Sequence, residues 1–370
     1  MGHVSRQSRI PALLALLLLL AACAGTSSPR ASALWSSSAG AYSARIASFI
    51  SSWESAGGSR ERRPQGWEAD PPAGAAVSAA WWGYTPADAT EALQAAVDSG
   101  SRVVVVPRMS GPWILSRTLD LRAGGLELAL EPGVVILAAQ GAFRGGGDCL
   151  ITASGAADFS ILGYGATLRM RKSDYRKRPY DRAEWRHAIS LSGAARARIA
   201  GLRIESAGGD GIYVGVQRSQ GAHVPSEDLT LQDLEILDSY RQGVSVISAR
   251  HLLIENSLIR GSSGAMPMSG IDFEPNGGDP GFEDCVVRAC RIVGNAGVGV
   301  LCVLSNLGAD AAPVSIRIQD CTIDNPPVAV WLRGLDNHVR GTLAFSGISF
   351  RGLQFLRGSP DFSVVLDEGR

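Results

Sequence analysis

Short runs of alternating apolar and polar residues fill the middle of this chain, and they recur. Each unit is an apolar stretch, a polar turn, then glycine followed by a β-branched residue. The units are Ala200–Ile204 with Gly211-Ile212-Tyr213-Val214, Gln232–Ile236 with Gly243-Val244-Ser245-Val246, Glu255–Ile259 with Gly270-Ile271-Asp272-Phe273, and Arg288–Ile292 with Gly297-Val298-Gly299-Val300. The marker glycines Gly211, Gly243, Gly270 and Gly297 stand 32, 27 and 27 residues apart. Period-two alternation in short runs predicts strands. A fixed period of this length marks a solenoid, in which each repeat buries its apolar face against its neighbours. In such a stack equivalent residues form columns, so positions far apart in sequence become neighbours.

The upstream residues extend the pattern. Asp88–Asp98 has Ala92, Leu93, Ala96 and Val97 on one helical face, with Asp88 or Thr90 to cap its start. Val103–Val106, Trp113–Leu115, Leu126–Leu130 and Val134–Leu137 read as the first strands, followed by a glycine-rich strand at Phe159–Leu168. With the repeats, these elements resemble the right-handed parallel β-helix proteins of the pectate-lyase and polygalacturonase type, over roughly residues 80 to 356. The resemblance implies an all-β fold, a right-handed parallel β-helix sealed by a short N-terminal capping helix, with residues 80–370 as its domain. At the other end, Phe355, Leu356 and the Ser-Val-Val-Leu run at 363–366 are placed to cover the open stack.

The N-terminus carries an address. Arg6 and Arg9 precede an apolar run from Ile10 to Leu20, which fits a secretory signal better than a membrane span. The run ends Leu20-Ala21-Ala22-Cys23, similar to a bacterial lipoprotein processing site. Residues 1–22 are therefore expected as signal peptide and Cys23 as the lipidated residue of an exported, envelope-anchored protein, with the outer membrane as destination. Residues 23–79 are expected as a tether rich in Ser, Ala, Gly and Pro, with a short amphipathic helix at Ala41–Trp53 as an option and Trp35, Trp53 and Trp67 able to dock onto the solenoid. Without residues 1–22 the chain has 33 basic and 35 acidic residues, which suggests no nucleic-acid partner. Cys149, Cys285, Cys290, Cys302 and Cys321 match no metal-site spacing and suit a buried stack of free thiols.

Alternation along the marker strands sets the candidate chemistry. Ile212, Val244, Ile271 and Val298 point inward; Tyr213, Ser245, Asp272 and Gly299 point outward, and so do Gly215, Ile247 and Glu274 two residues on. Asp272 and Glu274 are then expected side by side on the solvent face. Asp210 stacks over Gln242 and Ser269, Gly209 over Arg241 and Met268, and His187 opens the preceding rung. The candidate groove comprises Arg186, His187, Asp210, Tyr213, Tyr240, Arg241, Asp272 and Glu274: acids, an imidazole, fixed cations and aromatic platforms. Between Arg169 and Arg186 lie eight basic and three acidic residues, including Lys172 and Lys177, a candidate clamp for an anionic glycan. Asp272, Glu274, Asn276 and Asp279 make an oxygen-rich group able to hold calcium.

Three functions remain open. By the resemblance, Asp210 in Gly-Asp-Gly-Ile matches the aspartate of the polygalacturonase Asn-Thr-Asp-Gly motif. The family's next-rung Asp-Asp pair is replaced by Arg241-Gln242, its His-Gly by Ser269-Gly270, and its Arg-Ile-Lys has no counterpart. Hydrolysis would then rest on Asp272 and Glu274 in a different arrangement. Elimination or epimerisation of uronates would use Arg241, Arg186 or calcium on the acidic cluster against the substrate carboxylate, and His187, Tyr240 or an arginine as base. A glycan-binding or surface-structural lipoprotein needs neither. The expectation is a carbohydrate-active protein whose partner is an extracellular polysaccharide.

Overall fold

The computed structural model describes residues 36–67, 74–122 and 124–367. The signal segment, Cys23 and Trp35 lie outside them. The chain folds as a right-handed parallel β-helix, with stacks of parallel strands as its faces. The face that matters below is built from β1 (Ile151–Ser154), β2 (Ile189–Ser192), β3 (Ile212–Gly215), β4 (Val244–Val246), β5 (Ile271–Phe273), β6 (Val298–Val303), the second half of β7 (Thr322–Arg333) and the end of β8 (Ser349–Phe355). All neighbours on this face pair in parallel.

The stack is held by one continuous apolar interior running from Val77 to Phe362. Its corners are made sharp by single residues with left-handed backbone, which themselves align from rung to rung. Asp158, Arg196, Asp228, His251 and Asp284 form one such column, with φ between 50° and 57°. Gly211, Gly243, Gly270 and Gly299 form a glycine column. A Cβ at any of the four would lie 2.5–2.7 Å from the carbonyl oxygen of the next rung, so the rungs can approach only if the side chain is hydrogen.

That column corrects the marker spacing. The fourth equivalent glycine is Gly299, not Gly297, because Ile271 pairs with Val300 and Asp272 with Leu301. The Gly-Val-Gly-Val run offers two glycines to the same pattern, and the one against the carbonyl of Ala329 takes the place. Val298 consequently does not enter the interior; it packs with Leu301 and Val303 in a separate outer cluster.

The N-terminal end is sealed by α2 (Thr90–Val97), whose Ala92, Leu93, Ala96 and Val97 are buried and whose first turn is held by Asp88 Oδ1 accepting from Thr90 N–H at 2.9 Å. The expected tether does not hold for residues 36–67. Ser36–Ser55 forms a 20-residue helix, α1, packed along the side of the first rungs. Ile46, Ile50 and Trp53 are buried there, the Trp53 indole N–H donates to Ala76 O at 2.7 Å, and Tyr42 Oη lies 2.8 Å from the carbonyls of Leu130 and Leu162. Small-residue composition masked a stripe of apolar anchors at helical spacing. Arg45 and Arg60 pair with Glu127 and Glu131, fixing the same segment. The first rung also begins earlier than residue 80, since Ala76–Ser78 already pairs with Val103–Val105.

At the far end, Leu356 and Val364 pack against the interior, but Phe355 and residues 363–366 form no separate cap over the stack. They continue it: β8 pairs with β7, and Phe362–Asp367 pairs with Gly341–Ser346. Leu353, Phe355, Val365 and Leu366 stay exposed because no later rung lies over them among the described residues.

Candidate active site

The register brings three columns together on the face carrying β2 to β6. His187, Asp210, Gln242 and Ser269 lie in one, just before the strands. Ser190, Tyr213, Ser245, Asp272, Leu301 and Trp331 make the second. The third holds Gly215, Ile247, Glu274, Val303 and Arg333. A cleft of about 360 Å³ opens over them, lined among others by Trp185, His187, Ser190, Tyr213, Arg241 and Glu274.

Arg241 is the centre of this cleft. Its guanidinium lies 3.9 Å from Glu184, 3.9 Å from Asp210 and 3.8 Å from Glu274, and no carboxylate of the described residues is nearer. The cation thus sits amid three carboxylates without a close hydrogen bond to any. Asp210 is fully buried; its Oδ1 accepts from Gln242 N–H at 3.1 Å. The Asp210 N–H donates to His187 Nδ1 at 3.1 Å, which in the neutral ring leaves the proton on Nε2. Asp210 Oδ2 is 3.2 Å from the same nitrogen, so a protonated ring would instead donate to the carboxylate. The imidazole stacks on Tyr213, with centroids 4.7 Å apart and planes 11° apart. Burial raises the Tyr213 phenol above its ordinary range.

Asp272 departs from expectation. It belongs to the outward column, but only 1% of it is exposed. Gln242 Nε2 donates to Asp272 Oδ2 at 2.8 Å, and Arg241 stands 3.8 Å from the neighbouring Glu274. Burial first, and the neighbouring Glu274 second, push the Asp272 carboxyl up to about 8. Asp272 and Glu274 are therefore neighbours along one strand edge but not both in solvent: Asp272 is buried and Glu274 is partly exposed. Beneath the cleft, Asp210 Oδ2, Arg241 Nε, Gln242 Oε1, Ser245 Oγ, Ser269 Oγ and Asp272 Oδ1 are buried without a hydrogen-bond partner among the described residues. Buried polar atoms are rarely left so, and a cluster of them under a cleft marks a place organised for something other than stability.

Other expected residues go elsewhere. Arg186 is fully buried and no substrate clamp: it donates to the carbonyls of Phe143, Arg144 and Asp181 at 2.8–2.9 Å and lies against the rings of Tyr175 and Tyr180. Lys172 is likewise internal, its Nζ 2.6 Å from Asp238 and 3.0 Å from Ser263. The basic loop spends these two charges on holding itself to the stack. Lys177 is exposed but outside the cleft, and the Tyr240 ring is pressed against Gly264, where a Cβ would meet it at 2.2 Å. The calcium group is also not formed. Both oxygens of buried Asp279 are taken by Arg218 at 2.8 and 2.9 Å, His223 contacts Oδ1 at 2.9 Å, and Asn276 N–H donates to Oδ2 at 3.0 Å. No group of three or more potential metal-ligating His, Cys, Asp or Glu residues occurs among the described residues.

Sequence reading missed Cys149, Trp185 and Ser190 in the cleft lining, whereas Asn276, expected as a calcium ligand, lies there as a wall residue. Ser190 was available from alternation, since it pairs with Tyr213 one rung on. Cys149 sits one rung before His187, but burial pushes its thiol up to about 11, which makes it a poor nucleophile.

Comparison with known proteins agrees on the fold. A family profile described as "right handed beta helix region" matches residues 183–344. No curated protein matches the sequence. Among solved structures, a 1,3-α-1,4-β-D-galactose-4-sulfate-3,6-anhydro-D-galactose-2-sulfate 4 galactohydrolase is 14% identical over 71% of this chain and 67% of its own, with a TM-score of 0.51. The endo-xylogalacturonan hydrolase from Aspergillus tubingensis is 14% identical over 76% and 74%, with a TM-score of 0.47. The Azotobacter vinelandii mannuronan C-5 epimerase A-module is 14% identical over 76% and 98%, with a TM-score of 0.46.

Proposed function

We propose that the protein is a polysaccharide hydrolase, and that the cleft around Arg241 is its active site. The observation that carries this reading is the arrangement of carboxyls: Glu184, Asp210 and Glu274 around one guanidinium, with Asp272 held protonated below. Glycoside hydrolysis needs a protonated carboxyl for the leaving oxygen and a carboxylate for water, with an oxocarbenium-like transition state between them. Asp272 is the acid, kept protonated at neutral pH by burial, and the side chains over it move aside for the glycosidic oxygen to reach it. Glu274, on the same strand edge and open to the cleft, is the base. Outward residues two apart on a strand are separated by about 6.5–7 Å. That falls at the lower end of the roughly 6.5–9.5 Å used by inverting enzymes. The surplus of carboxylates favours a transition state that gains positive charge. His187 and Tyr213 form the flat wall on which a sugar ring can rest.

A galactohydrolase shares the fold by its printed name, which fits the reading without naming this protein's sugar. Elimination from a uronate is the second reading. It is favoured by Arg241, whose guanidinium lines the cleft without a close hydrogen bond to any carboxylate of the described residues and could face a substrate carboxylate. The Leu20–Cys23 run, similar to a bacterial lipoprotein processing site, supports attachment to the cell envelope, so the substrate would be met outside the cytoplasm.

The test is incubation of the protein with neutral and uronate polysaccharides. Release of reducing ends, with the first product carrying inverted anomeric configuration by proton NMR, supports hydrolysis. Ultraviolet absorbance of an unsaturated uronate moves the assignment to elimination. Labelled palmitate incorporated by the intact protein and lost in Cys23→Ser tests the anchor.

A further inference from the structure

Beyond Glu274 the groove changes character. The outward columns that carry Ser190, Tyr213, Ser245 and Asp272 continue as Leu301 and Trp331, and the column of Glu274 continues as Val303. Here a second concavity of about 330 Å³ opens, lined by Met266, Val298, Leu301, Val303 and Trp331 as well as by Arg241 and Glu274. Val298, Leu301 and Val303 form an apolar cluster of their own outside the solenoid interior. Trp331, 37% exposed, makes the far wall, leaning on Phe355 at 5.7 Å with the Arg333 guanidinium 5.2 Å from its ring.

Sugar hydroxyls gain nothing from such a floor. A polar group set there loses water and finds no partner, whereas a methyl-ended group gains by burial. Arg241 and Glu274 line both halves, so the pit begins one rung, about 4.8 Å, from the proposed chemistry. We infer that the pit is a subsite for a sugar unit carrying a methyl-ended substituent, an O-acyl ester being the chemical form we commit to, next to the bond that is cleaved. The inference rests on the hydrolase reading and adds the substrate class: an O-acylated polysaccharide. The ester methyl enters between Leu301 and Val303, and Trp331 covers the apolar face of the ring. Arg333 and Arg241 stand at the rim, where the ester carbonyl can accept from a guanidinium.

The experiment measures kcat/KM on O-acetylated xylan, glucomannan and homogalacturonan, each against the same preparation after alkaline deacetylation. One methyl more or less in an apolar pocket is worth about tenfold or more. The expected result is a preference of at least that size for an acetylated form, falling toward one in Trp331→Ala and in Val303→Ser. Trp331 is partly exposed, so its variant tests the pit even where the buried Val303 change impairs folding. A 6-deoxy sugar polymer cleaved with the same preference, and equally dependent on Trp331, would assign the pit to a ring methyl and overturn the ester. Cleavage of acetylated and deacetylated forms at equal rates overturns the subsite and leaves the hydrolase reading standing. No cleavage of any pair overturns the hydrolase reading, and the inference with it.

Discussion

Replacing Asp272 by asparagine separates what this residue does for chemistry from what it does to stability. The folded protein holds the carboxyl at about 8, against an ordinary value of 3.8, because burial disfavours its charged form. Between those values the folded state keeps a proton that the unfolded chain has released. Stability conferred by the protonated form is complete below the unfolded value and is lost as pH rises toward the folded one. Each unit of that interval is worth about 1.4 kcal/mol. The substituted amide has no proton to release, and its carbonyl can still accept from Gln242 Nε2, which is 2.8 Å from Asp272 Oδ2 in the parent. Urea unfolding of both proteins from pH 4 to pH 9 should therefore give equal stabilities near pH 4. The variant should gain by up to about 4 kcal/mol at pH 7 and the difference should level off above the raised value. Titrating groups that do not interact with Asp272 cancel in the comparison. The same substitution should lower kcat by about 10²–10⁴-fold through loss of the acid. Parent activity should fall on the alkaline side as Asp272 ionises. A stability difference that is flat with pH, or an Asp272→Asn protein that retains full activity, would refute the reasoning.

Three other outcomes follow from the same geometry. Glu274→Gln should cost about 10²–10⁴-fold in kcat, with little change in melting temperature because the side chain is only half-buried; activity assay and calorimetry check it. Arg186→Ala should destabilise by at least about 3 kcal/mol in urea, orphaning three carbonyls, while any substrate KM stays unchanged. Trp53→Ala should cost about 3–5 kcal/mol and release α1, seen as early proteolysis between residues 36 and 67.

The solenoid was legible because its signals are local: alternation, glycine, and the apolar face of α2 each act within a few residues. The column of His187 and Asp210 followed from the same arithmetic. What escaped were properties that depend on contacts between rungs. Whether Gly297 or Gly299 faces the next carbonyl is decided by the length of the preceding turn, not by the motif. Whether Asp272 sees water is decided by packing between rungs, where Gln242, thirty positions earlier, donates to its carboxyl. Charge also misled. A run dense in Arg and Lys looked like a surface clamp, yet Arg186 and Lys172 lie inside because backbone carbonyls and Asp238 satisfy them. In α1 the anchors Ile46, Ile50 and Trp53 are diluted by serine and alanine, so composition outweighed spacing.

The glycine column has a constant place and an inconstant interval: 32, 27 and 29 residues separate Gly211, Gly243, Gly270 and Gly299. The turn that follows the groove strands takes up much of the difference. It is a hairpin at Gln217–Val224 after β3, a bare corner at Ile247–Ser248 after β4, and a loop at Pro275–Gly281 after β5. Hairpin and loop are clasped to each other through Asp279, Arg218 and His223, above the corner they bracket. Such turns behave as interchangeable modules on a fixed rack. Grafting a longer or shorter one would reshape the groove wall while His187, Asp210, Arg241 and Glu274 kept their mutual positions, so what the protein grips and what it does to it can diversify independently.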